Sequence, residues 1–416
     1  MNILFFIDEI NSNSGFNYDI KYAKKNIESL TNHQIFLIDY SDIYQNSTQD
    51  HLSMGDLSLL NKYFKLKKFI NNNNIQLAQV RGVGLGSLNH FYSYFFCYLM
   101  KTKFVISTSS QINDYSLRNK IFYENPDVKL MDSNTVSFKQ YLINLILKNF
   151  TPHLKLLYFH TIAKFYIKKA SALVLFSNYE KNQVIKNLKN YDHDYHVINE
   201  PILDINKLKL IKAKFSGSKF YFNFWGGNDF INIIYWGRLD FETKGLDRIV
   251  SSFSEFIKLH KKTKLKIHFM GPDYNGGKGE LHELVNDLNL NNYLKIHPSK
   301  IWKGNPEPFI NSDFSILATK VDGFPRSLRE SIAFGVPIIC STESNFDEII
   351  SSFDCGFSFS SNNELINIFK NIENNNYSYD SLRSNCNKAT IEGLSDLVIT
   401  KKFTDLYEKQ IENGKL

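Results

Sequence analysis

FSILATKVDGFPRSLRESIAFGVPII, residues 314–339, reads in one pass as strand, turn, helix and strand. The apolar runs 314–317 and 336–339 suit strands buried on both faces. Pro325 fits the first turn of a helix, where its missing N–H costs nothing. Gly335 followed by Pro337 fits a helix stop. Phe324, in front of the helix, cannot cap it. The first N–H groups, from Arg326, Ser327 and Leu328, therefore lack a side-chain acceptor unless Asp322 bends back. An uncapped helix start preceded by glycine is a ready phosphate site. Two carboxylates, Asp322 and Glu330, stand eight positions apart across this turn. The plainer reading is an ordinary buried helix whose Glu330 is solvated.

The same pattern repeats outward from this unit. Apolar runs at 3–7, 35–38, 75–80, 104–106 and 173–176 alternate with helix-like segments, and 231–236, 265–270 and 293–296 continue the series. Such alternation predicts an α/β protein with two open, Rossmann-like parallel sheets. Pro201 interrupts the chain near 197–203, so the expected division is 1–198 and 199–394. A charged helix, 395–416, follows the second domain.

With 416 residues, 43% of them apolar and 22% charged, the chain has material for two large cores and no signature of disorder. Four scattered cysteines, Cys97, Cys340, Cys355 and Cys386, support neither a disulfide framework nor a zinc site, and a reducing cytoplasm is the simplest setting. The start, MNILFFIDEI, has no basic leader region and reads as a first strand. No apolar run approaches the length of a spanning helix. Residues 1–198 carry 22 Lys+Arg against 15 Asp+Glu, whereas residues 199–416 carry 27 of each. The whole excess of +7 lies in the first half, which suggests that this half meets an anionic surface or ligand.

Residues 136–170 sharpen that expectation. Ile143, Leu147, Phe150, Leu154 and Leu157 follow helical spacing, with Lys148, Lys155, Lys164, Lys168 and Lys169 between aromatic residues. A helix pair of this kind can lie in an anionic lipid headgroup layer, each lysine contributing about 1 kcal/mol. The alternative is a core-facing helix with a solvated basic side. Nucleic acid is not expected, because no reading module accompanies the charge.

IIYWGRLDFETKGLD, residues 233–247, carries the second chemical signal. A strand ends at Trp236, Gly237 permits a close turn, and Arg238 and Lys244 emerge before a helix that begins after Gly245. Two cations at the carboxyl end of a parallel strand sit where α/β sheets bind ligands. Arg238 can grip a diphosphate with two N–H groups, and Lys244 adds a point charge. The plainer reading is a surface ion pair of Arg238 with Asp240. Asp192-His193-Asp194, followed by His196, has the form of a metal-binding D-x-D but reads as a solvated loop, since no second ligand cluster accompanies it.

Together these stretches resemble a retaining glycosyltransferase of family 4, with GT-B architecture of two Rossmann-like domains facing across a cleft. GRLDFETKGLD, FMGPDY at 269–274, the 314–339 block and FDEII at 346–350 occur in the family's order and cover the second half. The resemblance implies that 1–198, with helix 395–416 crossing back to it, binds the acceptor and that 199–394 binds the donor, that Arg238 and Lys244 hold the donor diphosphate and that Glu330 holds the nucleotide ribose. Asp322 takes the position that faces the donor sugar and is one methylene shorter than the usual Glu. Gly323, Phe324 and Pro325 match a turn whose backbone faces sugar hydroxyls; Ser327 and Leu328 match the phosphate-binding helix start. Gly15, in NSNSGF, matches a glycine loop near the phosphates. Ser109 or Ser110 stands where the family often has a histidine; His90, His153 and His160 read as ordinary helix or loop residues.

The expected reaction moves a sugar from a UDP- or GDP-linked donor to a glycan or lipid-linked saccharide, as in bacterial surface polysaccharide or lipopolysaccharide synthesis. Neither a metal nor a cofactor is implied beyond that co-substrate. The expected location is cytoplasmic, peripheral on the inner face of the plasma membrane. A nucleotide-sugar epimerase of the same shape and a non-catalytic glycan-binding protein are the alternatives. A dehydrogenase is disfavoured, because Gly82, Gly84 and Gly86 lack the dinucleotide-binding spacing.

Overall fold

The computed structural model describes residues 1–7, 23–29, 31–39, 50–54, 57–81, 88–107, 164–188, 192–202, 230–241, 243–260, 262–297 and 312–413. Gly15, Ser109, Ser110, His153, His160 and residues 136–163 lie outside them, as does the side chain of His90.

The chain divides into two compact units. Unit 1 comprises Met1–Leu175, Lys181–Val197 and Thr404–Leu416; unit 2 comprises Phe176–Glu180 and Ile198–Phe403.

Unit 1 is built on a seven-stranded sheet: β1 (Asn2–Ile7), β2 (Gln34–Asp39), β3 (His51–Ser53), β4 (Leu77–Arg81), β5 (Phe104–Ser107), β6 (Ala172–Leu175) and β7 (Tyr195–Val197). The order is β3-β2-β1-β4-β5-β6-β7, with every pairing parallel. Ile3, Leu4, Ile106 and Leu173 are fully buried, as a sheet covered on both faces requires. Helix α1 (Leu59–Asn72) buries Leu66, Phe69 and Ile70 against it, and α2 (Leu88–Leu99), α3 (Lys164–Lys169) and α4 (Asn178–Asn187) complete the described helices.

Unit 2 has six strands: β8 (Ile231–Trp236), β9 (Leu265–Met270), β10 (Leu294–Ile296), β11 (Phe314–Leu317), β12 (Ile338–Ser341) and β13 (Gly356–Phe359). Their order is β10-β9-β8-β11-β12-β13, again all parallel. Helices α5 (Leu246–Leu259), α6 (Gly277–Asp287), α7 (Arg326–Ala333), α8 (Asp347–Phe353), α9 (Asn362–Glu373) and α10 (Tyr379–Lys388) follow, and α11 (Asp396–Glu412) begins in unit 2 and ends in unit 1. On α5 the buried residues Leu246, Ile249, Val250, Phe253 and Phe256 keep a 3–4 spacing, which forms one apolar stripe. Phe253 meets Phe369 of α9 edge-on at 5.4 Å.

Both sheets are of the doubly wound type expected from the sequence. The run at 336–339 enters its strand two residues late. The N–H of Gly335, at φ 75°, bonds the carbonyl of Ile332 at 2.9 Å, and that of Val336 bonds Ser331 at 3.0 Å. This closed helix stop uses Val336, Pro337 follows, and the ladder begins at Ile338. Three short strands, β3, β7 and β13, carry little sequence signal; β13, GFSF, is buried at both ends and more open between them.

Candidate functional site

In unit 2 the chain runs from β8 outward to β9 and β10, and β11 then pairs on the other side of β8. The carboxyl ends of β8 and β11 therefore flank the point where strand order reverses, the place where open α/β sheets hold ligands. The two following loops are laced together. The N–H of Lys320 bonds the Thr243 carbonyl at 2.8 Å, and the Thr319 hydroxyl bonds the same oxygen at 2.9 Å. Gly245, at φ 64°, makes this possible, since a Cβ there would lie 1.9 Å from the Ala318 carbonyl oxygen.

This lacing brings Lys244 onto Asp322, 78 positions later. Its Nζ donates to Asp322 Oδ2, both side chains being less than one-fifth exposed. The other Asp322 oxygen accepts the Gly323 N–H at 2.8 Å. Arg238 lies over the Tyr274 ring at 4.3 Å and reaches Asp240 at 3.6 Å. Asp240 is fixed by the Thr243 N–H at 3.1 Å and the Thr243 hydroxyl at 2.5 Å. The expected surface ion pair of Arg238 is thus present. At 47% exposure of the arginine it is worth at most about 1 kcal/mol. It positions the guanidinium without consuming it. Beneath these groups the buried Tyr235 hydroxyl donates to the Arg238 carbonyl at 2.5 Å. Burial, then the Asp240 and Asp322 charges, push this phenol well above its ordinary range, with Arg238 opposing.

Helix α7 starts beside this cluster without any side-chain cap. Pro325, at ψ 127°, precedes the helix rather than opening it, and Arg326 is the first helical residue. The turn before it is held from inside the fold. Phe324 stacks on Phe346 at 4.0 Å between centroids and 9° between planes, and Phe176 packs on it at 6.1 Å and 30°. Asn345 Nδ2 donates to the carbonyls of Asp322 at 3.0 Å and Gly323 at 2.6 Å.

Arg238, Lys244, Asp322, Gly323, Phe324 and Pro325 are therefore grouped with the start of α7. Ser327 is half-buried there, whereas Leu328 points into the core and offers only its N–H. Glu330 is not solvated, as the plainer reading had it. Its side chain is 12% exposed and paired with Arg326 one turn back at 3.0 Å. Asp240, Thr243, Thr319 and Asn345 escaped the sequence reading; Asn345, four residues after β12, had as its one signal a position next to FDEII.

The D-x-D stretch is not a solvated loop. Asp194 takes His196 at 2.9 Å, Lys409 at 3.2 Å and the Gln410 amide at 2.5 Å, which fixes the end of α11 within unit 1. Partial burial raises its carboxyl pKa, but the bonds from His196 and Lys409 outweigh that and hold it below the usual range. His193 bonds the Ile167 carbonyl at 2.8 Å. Among the described residues no His, Cys, Asp and Glu cluster is arranged to hold a metal ion. All four cysteines are buried free thiols.

Residues 225–392, which contain this cluster, match the family model of glycosyl transferases group 1. That match covers less than half of the chain. Solved structures resemble the chain over nearly its full length. Anabaena Alr3699/HepE in complex with UDP aligns with TM-score 0.64 and 12% identity, over 98% of this chain and 100% of its own. A glycosyltransferase from Rickettsia africae aligns with TM-score 0.64 and 16% identity, over 99% of each chain. The lipopolysaccharide outer core galactosyltransferase WaaB, in apo form, aligns with TM-score 0.64 and 14% identity, over 98% of this chain and all of its own. At such identities the likeness is one of fold, and the fold is GT-B. No curated protein matches the sequence. Among the described residues no helix is long and apolar enough to cross a membrane.

Proposed function

We propose that the group 1 domain binds a nucleotide-diphosphate sugar and that the protein transfers the sugar, with retained anomeric configuration, to a glycan or lipid-linked saccharide. One observation carries this reading: Lys244, Arg238 and the uncapped start of α7 lie together at the switch point of the unit 2 sheet. Each alone is commonplace; together they are a receptor for a diphosphate leaving group. As the bond from the sugar's anomeric carbon to the diphosphate oxygen breaks, negative charge grows on that oxygen. The two cations and the helix N–H groups are already in place to meet it. Lys244 rests on Asp322 until the diphosphate competes for it. Asp322 is then released toward the sugar, while Glu330, held by Arg326, takes the ribose.

The proposed acceptor is lipid-linked, as surface polysaccharide assembly requires. Support comes from α1, where Leu60 and Phe64 are 64% and 57% exposed beside Lys67 and Lys68. This is a surface suited to a lipid headgroup layer.

Nucleotide release from a panel of UDP- and GDP-sugars, with and without glycan acceptors, tests the reading. Lys244→Ala is expected to keep the fold and to lower transfer at least about tenfold, where losing one charge-stabilising donor typically costs about a hundred- to a thousandfold. Sugar interconversion without acceptor would instead indicate an epimerase. Turnover of Lys244→Ala near that of the parent would remove Lys244 from the machinery.

A further inference from the structure

The carboxamide of Asn345 is 4% exposed, and every one of its bonds leads into the turn at 322–323 or to its support. Asn345 Nδ2 gives both hydrogens to backbone carbonyls, those of Asp322 and Gly323. Its Oδ1 accepts from the Ser177 hydroxyl at 2.6 Å. The Ser177 oxygen itself accepts the Glu180 N–H at 2.9 Å, which leaves its hydrogen for Asn345. Carbonyl oxygens can only accept, so the amide cannot be flipped: its orientation follows from its partners' chemistry.

We infer that Asn345 is a positioning residue for the transfer reaction, acting on the donor through the Asp322–Gly323 turn. This rests on the reading given above. Two successive carbonyls drawn back toward the interior turn the intervening peptide planes the other way. The N–H groups of those same peptides, on Gly323 and Phe324, and the Asp322 side chain that accepts the Gly323 N–H and carries Lys244, are thereby held away from the interior, toward the switch point. Asp322 has one rotatable carbon fewer than a glutamate, so its carboxylate goes where its backbone goes. A shift of the turn by a fraction of an ångström moves the carboxylate with it, and reactions of this kind are sensitive to such misplacement. Asn345 sits at φ 63°, a conformation that asparagine and glycine tolerate best. A glycine there therefore removes the amide while keeping the backbone.

Asn345→Gly is the test, with Asn345→Asp beside it. Aspartate keeps the shape and the Ser177 bond but sets a carboxylate against two carbonyl oxygens. The probes are UDP, UDP-glucose, UDP-galactose, GDP and GDP-mannose. Both variants are expected to retain the far-ultraviolet dichroism of the parent and its stabilisation by the preferred nucleoside diphosphate. In both, kcat is expected to fall tenfold or more while the donor KM moves less than threefold. Hydrogen exchange in the peptide covering 320–326 is expected to quicken at least tenfold, with exchange in β9 unchanged. A Ser177→Ala variant, which leaves the amide's two donor bonds intact, should lose less than Asn345→Gly. A kcat within twofold of the parent, or a loss confined to KM, overturns the inference. So does unchanged exchange at 320–326. If the parent itself transfers no sugar from any donor, the functional reading fails. The exchange measurement then still decides whether Asn345 clamps the turn.

Discussion

Lys244 and Gly245 show how neighbouring residues can divide one task. Lys244 supplies charge, and Gly245 supplies the backbone that lets this loop lie against Ala318. Alanine at 245 would have to adopt φ 64° and place its Cβ 1.9 Å from the Ala318 oxygen. The left-handed conformation alone costs roughly 1–2 kcal/mol, and relieving the overlap adds a backbone shift. Gly245→Ala is thus expected to lose about 3 kcal/mol or more of stability, read as a lowered urea midpoint. A midpoint equal to that of the parent would mean that the two loops are not in contact there. Lys244, by contrast, was legible from sequence as a cation after a strand. That it rests on Asp322 was not, because 78 positions separate them.

At the scale of elements, β8, β9 and β10 share a buried polar chain that no sequence pattern announced. His268 Nε2 donates to Asn232 Oδ1 at 3.0 Å, and His268 Nδ1 faces His297 Nε2 at 3.0 Å. The acceptor on Asn232 fixes the His268 proton at Nε2, so the His297 N–H points at His268 Nδ1. A second proton on His268 would set N–H against N–H. Burial, then the charges of His297, Lys295 and Lys266, hold its pKa down at about 3. An unfolded histidine titrates near ~6.5. Between these values the unfolded chain binds a proton that the folded chain does not, so stability falls as pH drops from 6.5 toward 3. The slope is at most about 1.4 kcal/mol per pH unit. The urea midpoint should fall less between pH 7.5 and pH 5 in His268→Gln than in the parent. Equal slopes in the two proteins would show that His268 does not contribute. Helix α7 argues the same lesson from the other side. Its stop at Gly335 was readable from residue type, while Pro325, at ψ 127°, took the position before the helix after a turn whose carbonyls Asn345 holds.

For the molecule as a whole, a ligand that binds the folded state alone raises its melting temperature. Among nucleoside diphosphates and their sugars, one base is expected to stabilise the protein clearly more than the others, with Lys244→Ala losing most of that shift. Equal, negligible responses to all of them would speak against a donor site. The uneven charge carries a second expectation: binding to anionic vesicles that weakens as salt rises, since contacts of this kind are screened over about 10 Å at 0.1 M. Full solubility beside such vesicles at low salt would leave the excess of +7 without a membrane role.

The sequence by itself determined the two parallel sheets, the helix stop at Gly335 and the presence of Arg238, Lys244 and Asp322 at strand ends. These are local matters of apolar period, backbone freedom and charge, written within a few consecutive residues. Tertiary structure alone decided that Lys244 meets Asp322, that Asp194 anchors α11, that Glu330 is paired instead of solvated and that Asn345 turns two distant carbonyls inward. Each of those depends on which strand lies beside which, and a partner fixed by sheet order leaves no mark in the spacing of the residues that it brings together.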